Sequence, residues 1–250
     1  MRRFYCPSLN ASSKTVSIED PDEIFHLHKV LRLKSGDKIE AFNGEGESGE
    51  FEIIAVNKKS VDCLLLSIKN YPVKSPKVIL ACAVPKKSKF EIIVEKSTEL
   101  GVDEIIPLIS DRTEISFKKD KIYEKLQRFK TIALNASKQS HRNTIPRIKE
   151  PLNFPYALSY FKSLKSSILV PSLIEPRKNI IKALNELSSP KAVSILIGPE
   201  GDFTENEYAL AFKEGGIGVS LGESILKVET AAISALSCIN IYFENPQKSL

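Results

Sequence analysis

The chain has 250 residues, 42% of them hydrophobic and 27% charged, which suits one large domain or a small domain beside a medium one and excludes a disordered chain. No apolar run approaches the ~18–20 residues that span a bilayer. The start, Met1-Arg2-Arg3-Phe4-Tyr5-Cys6-Pro7, lacks the apolar stretch of a signal peptide, so a cytoplasmic protein with no membrane partner is expected.

The net charge of +5 is unevenly placed: residues 73–150 carry 17 Lys/Arg against 10 Asp/Glu, whereas residues 1–72 carry 10 against 11. A localised basic surplus is the footprint expected for a phosphate-rich partner, although a solvated lysine-rich helix face gives the same count. Cys6, Cys63, Cys82 and Cys238 are widely spaced, without a Cys-x-x-Cys pair. Cys82 and Cys238 lie in apolar runs and read as small core residues. His26 and His28 have no third ligand at metal spacing, so no metal site is expected.

In chain order, residues 1–72 read as β. Lys38 to Phe42, Glu50 to Val56 and Ser60 to Ile68 are short, partly alternating runs, and only Glu23 to Leu31 looks helical. Short strands of this kind suggest a small barrel. Pro72 and Pro76 bracket a linker. From residue 76 to 250 strands and helices alternate. The strands are Val78 to Val84, Glu104 to Ile109, Ser167 to Val170, Ala192 to Ile197 and Gly218 to Leu221. A helix carrying Phe90, Ile93, Val94, Ser97 and Leu100 ends at Gly101, and a basic one runs from Asp120 to Gln139 with Ile122, Leu126, Phe129 and Ala133 inward. A last helix covers Glu229 to Phe243. This pattern indicates an α/β domain with a mostly parallel sheet.

Gly44-Glu45-Gly46-Glu47-Ser48-Gly49 matches G-x-G-x-x-G, but a strand follows it rather than the helix N-terminus that would receive a pyrophosphate, so it reads as a hairpin turn. Ile195 to Glu205 is different. A buried strand enters the turn Gly198-Pro199-Glu200-Gly201, and a helix follows with Thr204 as N-cap and Glu207 at the capping-box position. Leu221-Gly222-Glu223-Ser224 again links a strand to a helix. Loops at the carboxyl ends of parallel strands are where such sheets bind ligands, and glycines let the backbone approach closely. A well-made turn without a ligand is the alternative for either loop alone.

These segments, Ile197-Gly198-Pro199-Glu200-Gly201 and Leu221-Gly222 with Ile225-Leu226-Lys227-Val228-Glu229-Thr230-Ala231, resemble the signature of the bacterial 16S rRNA uracil-N3 methyltransferases of the SPOUT superfamily. Met1 to Tyr5, His28-x-Val30-Leu31-Arg32-Leu33-x-x-Gly36-Asp37, Lys96-x-x-Glu99-Leu100-Gly101-Val102 and Gln139-Ser140-x-Arg142-Asn143 agree in order. The resemblance covers nearly the whole chain. It implies a trefoil-knotted SPOUT sheet with helices on both faces over residues 76–250, a PUA-like barrel over 1–72, and a homodimer. It also implies S-adenosylmethionine as cofactor and 16S rRNA, within the small ribosomal subunit, as substrate. The sequence departs from the pattern at Asp202, where glycine is usual, at Ser224 and Lys227, where arginines are usual, and at Lys138, where glutamate is usual.

On this resemblance the cofactor lies against backbone groups of Leu196, Ile197, Gly198, Glu200, Gly201, Leu221, Gly222, Glu223, Ile225 and Leu226, with Thr230 beside them. Arg142 resembles the active-site arginine and offers a planar fork to a uracil oxygen or a phosphate; a surface charge is its bland alternative. Glu200 is the candidate base for the N3 proton, unless it only accepts backbone N–H groups. Arg2, Arg3, Lys29, Arg32 and Lys34 are candidates for phosphate contacts from the barrel. A ribose 2′-O methyltransferase of the same superfamily and a non-enzymatic RNA-binding protein are the competing readings.

Overall fold

The computed structural model describes residues 2–10, 12–71, 74–85, 89–113 and 119–244; Met1 and the linker residues Pro72 and Val73 lie outside them. The chain divides into two units: Met1–Val73 with Ser137–Ile145, and Lys74–Ala136 with Pro146–Leu250.

In the first unit, β1 (Arg3–Tyr5), β2 (Thr15–Ile18), β3 (Lys38–Phe42), β4 (Glu47–Val56) and β5 (Val61–Asn70) form a barrel-like sheet in the order β1-β3-β4-β5-β2. Register shifts between Glu50 and Phe51, and between Ile53 and Ala55, bend β4, as β-bulges do where a small sheet curls. Phe4, Leu27, Ile39, Phe51, Ile53 and Val61 fill its interior. β1 and β2 escape a sequence reading because three or four residues are too few to display a period. The expected helix is split. An α-turn, α1 (Pro21–Phe25), is capped by the Asp20 carboxylate, which accepts from the Asp22 and Glu23 amides, and a π-helical turn follows over His26–Val30.

The rejected glycine motif is a hairpin between β3 and β4, and it docks another part of the chain. Gly46 N donates to Asn143 O (3.0 Å) and Ile145 N to Gly44 O (2.9 Å), while Glu45 bridges Thr144. These long-range bonds place the Arg142 segment, expected in the second domain, with the first unit. Arg3 also corrects an expectation. Its guanidinium is buried, pairs with Glu40 at 3.3 Å, donates to Asn143 Oδ1 and stacks 4.2 Å over the Phe42 ring. Burial lowers its pKa more than Glu40 raises it. Arg3 therefore holds the unit together and is withdrawn as a phosphate ligand.

The second unit carries a parallel sheet. Its strands are β6 (Lys77–Ala83), β7 (Glu104–Ile109), β8 (Arg147–Ile148), β9 (Leu152–Asn153), β10 (Ser167–Pro171), β11 (Lys178–Asn179), β12 (Ala192–Ile197) and β13 (Ile217–Ser220). The order is β11-β13-β10-β12-β6-β7-β8, with β9 beside β7. The helices are α2 (Lys89–Glu99), α3 (Lys119–Gln139, whose last residues belong to the first unit), α4 (Phe154–Ser163), α5 (Ile180–Asn185), α6 (Glu205–Lys213) and α7 (Val228–Glu244). Ile79, Ala81 and Leu196 pack with Phe154, Phe161 and Tyr208 of α4 and α6. Their alternating neighbours Leu80, Cys82, Ile195 and Ile197 are buried on the opposite face, where α7 packs on α2, β6 and β12. Helices thus cover both faces, which is why these strands read as continuous apolar runs. On α3, Leu126, Phe129 and Ala133 are buried and Ile122 half-buried. Cys82 is core as expected, whereas Cys238 is only half-buried.

Lys138, the departure from the family's glutamate, pairs with Glu23 at 2.6 Å, and the Glu23 side chain is only 4% exposed. Its second oxygen is buried without a hydrogen-bond partner among the described residues. Removing one partner of such a pair strands a buried charge. Lys138→Ala should therefore cost about 3 kcal/mol in urea unfolding. Adding Glu23→Gln should recover part of that loss; strictly additive losses would contradict the pairing.

Candidate active site

Because β13, β10 and β12 are parallel neighbours, the loops leaving their carboxyl ends converge, and between them lies a cavity of about 390 Å³. This is the usual ligand position in an open α/β sheet. Its wall includes Ile197, Gly198, Pro199 and Glu200 after β12, Leu221, Gly222, Ile225 and Leu226 after β13, and Ser172 and Arg177 after β10.

The first glycine loop is held from several sides. Asp202 N donates to Pro199 O (2.9 Å) to close the turn, and Asp202 adopts φ +62°, a left-handed conformation that favours glycine but that aspartate tolerates. Its Oδ1 accepts from Tyr208 Oη (2.7 Å) and from Phe203 N (2.8 Å). Burial, then the Asp202 carboxylate, pushes the Tyr208 phenol above its ordinary pKa, so it stays a donor. The departure from glycine at 202 thus adds an anchor to the turn. Thr204 and Glu207 form the expected capping box at the start of α6. Arg112, from the loop after β7, donates through Nη1 to Gly201 O (2.6 Å) and Phe203 O (3.4 Å), and Asp111 N donates to Glu207 Oε1 (2.9 Å). A charged clamp on two carbonyls therefore fixes the turn.

In the second loop, Gly222 N donates to Ser220 Oγ, which donates to Gly222 O (2.9 Å). Gly222 has φ +137°, and a Cβ there would meet nothing within 4 Å. Glycine is required for its backbone angle, and the residue lines the cavity. At Gly198 a Cβ would sit 3.3 Å from Asp202 Oδ1 and Phe203 N. Lys89, at the start of α2, lines the cavity and lies 3.7 Å from Glu229 Oε1; the other Glu229 oxygen is buried without a hydrogen-bond partner among the described residues. Burial, then Glu200 and Glu229, drives the Cys82 thiol far upward, so it stays protonated.

Of the expected cofactor residues, Ile197, Gly198, Glu200, Leu221, Gly222, Ile225 and Leu226 line the cavity. Four do not. Leu196 is outside the lining, with its side chain in the α4–α6 core, Gly201 packs on Arg112, and Glu223 and Thr230 are exposed. Arg142 lies in the first unit, half-buried, with Nη2 3.0 Å from Thr144 Oγ1. Arg2, Lys29, Arg32 and Lys34 are exposed. Sequence reading missed the third loop, where Arg177 donates to Ser172 O (3.1 Å) and pairs with Glu175. The strand-end rule would have found it, since Ser167–Pro171 is also a parallel strand, but no glycine marks the turn. A lining of apolar side chains and glycine backbone that also includes Lys89, Arg177, Asp202 and Lys227 suits a ligand with both apolar and charged parts.

The RNA methyltransferase domain family matches residues 73–240, and the RNA methyltransferase PUA domain family matches residues 18–66. With the parallel sheet above, these matches give the fold of a SPOUT-type RNA methyltransferase preceded by a PUA-like barrel. Ribosomal RNA small subunit methyltransferase E of Bacillus subtilis is 32% identical over 228 residues, 89% of each chain. Its counterpart from Neisseria gonorrhoeae, solved bound to S-adenosyl methionine, is 27% identical with a TM-score of 0.84, covering 97% of this chain and 98% of that one. A Legionella pneumophila methyltransferase solved with SAM is 30% identical with a TM-score of 0.83, covering 96% and 97%. The chain belongs to the ribosomal RNA small subunit methyltransferase E family.

The clamp is testable by itself. Hydrogen bonds from a charged donor contribute about 1.5–3 kcal/mol, so Arg112→Ala should speed amide exchange at Phe203 and Asp202 by about tenfold or more. Amides of β12 should keep their protection. Unchanged exchange in the turn would show that Arg112 does not hold it.

Proposed function

We propose that the chain transfers a methyl group from S-adenosylmethionine to N3 of an unpaired uridine in 16S rRNA of the small ribosomal subunit. The observation that carries this reading is the cavity between the glycine loops, lined by Gly222, whose φ of +137° calls for glycine. The names of its relatives, and the two solved with bound cofactor, support the reaction class. When bound, the cofactor supplies the electrophilic sulfonium methyl.

The protein's own part is positioning and proton handling. The Gly198–Asp202 turn and Gly222 cradle the cofactor with backbone, and Lys89, Arg177 and Asp202 meet its charged tail. Burial of the cavity floor by Ile197 and Val219 limits water. N3 of a paired uridine is engaged in Watson–Crick bonding, so the base enters unpaired or flipped. Arg142 presents its fork to a uracil oxygen or the adjoining phosphate, steadying the charge that grows as N3 loses its proton. Glu200, exposed and lining the cavity, would take that N3 proton when the cofactor supplies its methyl group. Arg2, Lys29, Arg32 and Lys34 meet RNA phosphates. The enzyme works in the cytoplasm, and no helix of the described residues is long and apolar enough to cross a membrane. It acts as a homodimer through α2 and α7, whose Ile92 and Ile241 are 48% and 67% exposed.

S-adenosylhomocysteine titrated calorimetrically should bind the wild-type protein. A folded Gly222→Val variant should lose that binding, because a β-branched residue cannot hold this φ and its side chain enters the cavity. Retained affinity would place the cofactor elsewhere. Arg142→Ala should bind S-adenosylhomocysteine normally yet lose about 100-fold or more in methyl transfer. Arg142→Lys should restore little of it, since an ammonium lacks the planar fork. Near-normal transfer by both variants would remove Arg142 from the reaction.

A further inference from the structure

The lining of the cavity between the strand-end loops includes a carboxylate that is held by one oxygen and open at the other. Asp202 lines the cavity and is half-buried. Its Oδ1 accepts from Tyr208 Oη (2.7 Å) and from Phe203 N (2.8 Å), whereas Oδ2 has no hydrogen-bond or ion-pair partner among the described residues. One donor is the neighbouring backbone and the other comes from α6, so rotating the carboxylate breaks one bond or both. The donor on α6 is itself fixed. Tyr208 is 2% exposed, its ring lies edge-on to Phe203 with centroids 5.7 Å apart, and it stacks on Phe212 at 5.9 Å.

A buried phenol needs a hydrogen-bond partner, but satisfying Tyr208 does not call for a charge. An asparagine would accept from the same two donors and tolerates a φ of +62° equally well. Glycine is the usual residue here in the related methyltransferases. The negative charge at 202 therefore answers to something else that enters the cavity. Lys89, Arg177 and Lys227 supply positive charge to the same lining. A ligand end that carries both a carboxylate and an ammonium needs a partner of each sign, because a charge that leaves water unpaired is costly. Glu200, the other carboxylate of the lining, is exposed and is assigned to the N3 proton.

We propose that Asp202 is a specificity-determining residue that accepts from the ammonium at the amino-acid end of S-adenosylmethionine, with Tyr208 as the positioning residue that aims it. The inference rests on the reading of this cavity as the cofactor site, and it adds a contact that a glycine at 202 cannot make. The same ammonium is present before and after methyl transfer. The contact therefore strengthens binding of donor and product alike and leaves the chemical step unassisted.

Calorimetric titration of the full chain with S-adenosylhomocysteine, and with its deamino analogue that lacks only the amino group, tests the assignment. Asp202→Asn keeps an acceptor for Tyr208 and Phe203 N but removes the charge. S-adenosylhomocysteine should bind this variant about tenfold more weakly, while the deamino analogue should stay within about twofold of its wild-type affinity. Tyr208→Phe keeps the ring packing and the charge but frees the carboxylate. It should narrow the preference for S-adenosylhomocysteine over the analogue by about threefold. Circular dichroism spectra of both variants should match wild type. Wild-type affinity for S-adenosylhomocysteine in Asp202→Asn, or an equal loss for both ligands, would overturn the ammonium contact and leave the cofactor reading intact. An unaltered preference in Tyr208→Phe, with both ligands weakened alike, would reduce Tyr208 to a packing residue and overturn its positioning role. A wild-type protein that binds neither ligand would sink the cofactor reading and this assignment together.

Discussion

Parallel pairing of β10 with both β12 and β13 is the constraint on which the second unit's chemistry depends. Three strands pointing the same way must release their chains at the same edge, so the turns after Ile197, Ser220 and Pro171 meet. Parallel strands also need covered faces, and the helices on either side supply that cover at the cost of burying nearly every strand residue. Ligand contact is therefore left to the strand-end loops, where Gly198 and Gly222 stand beside Ile225, Leu226 and Arg177. Arg112 and Asp202 act on the same turn from opposite sides, one through carbonyls and the other through an amide and the Tyr208 hydroxyl. The cavity is thereby set before any ligand arrives, and preorganised sites avoid an ordering cost on binding.

The first unit depends on a different set of interactions. Arg3 ties β1 to Glu40 of β3 and to Asn143, and the Gly44–Gly46 hairpin accepts the 143–145 segment. Lys138 closes the same junction on Glu23. Polar contacts between residues far apart in the chain thus decide where Arg142 sits. Substitutions at Lys138 would disturb the segment that carries Arg142 without touching its side chain.

Legibility from sequence followed physical cause. Glu104–Ile109 and Ala192–Ile197 were readable to the residue because strands buried on both faces are unbroken apolar runs. Thr204 and Glu207 announced their helix because a capping box is a local hydrogen-bond pattern. The shortest strands, such as Arg147–Ile148, carry no period and were invisible. The position of Ser137–Ile145 depends on long-range bonds that no local rule contains. In the site, glycines advertised two loops, whereas the Ser172–Arg177 loop had no such marker. Arg3 looked like a phosphate ligand because charge in a sequence says nothing about burial. The family resemblance supplied the knot, the barrel and the reaction, none of which composition or periodicity contains.

The chemical identity of the product tests the account most directly. The protein would be incubated with methyl-labelled cofactor and small ribosomal subunits lacking the modification, and the RNA digested completely for mass spectrometry. The account predicts label on a uracil base at N3, with the adjacent phosphodiester still cleaved by alkali. Label on a ribose 2′-hydroxyl, seen as an alkali-resistant dinucleotide, would contradict it.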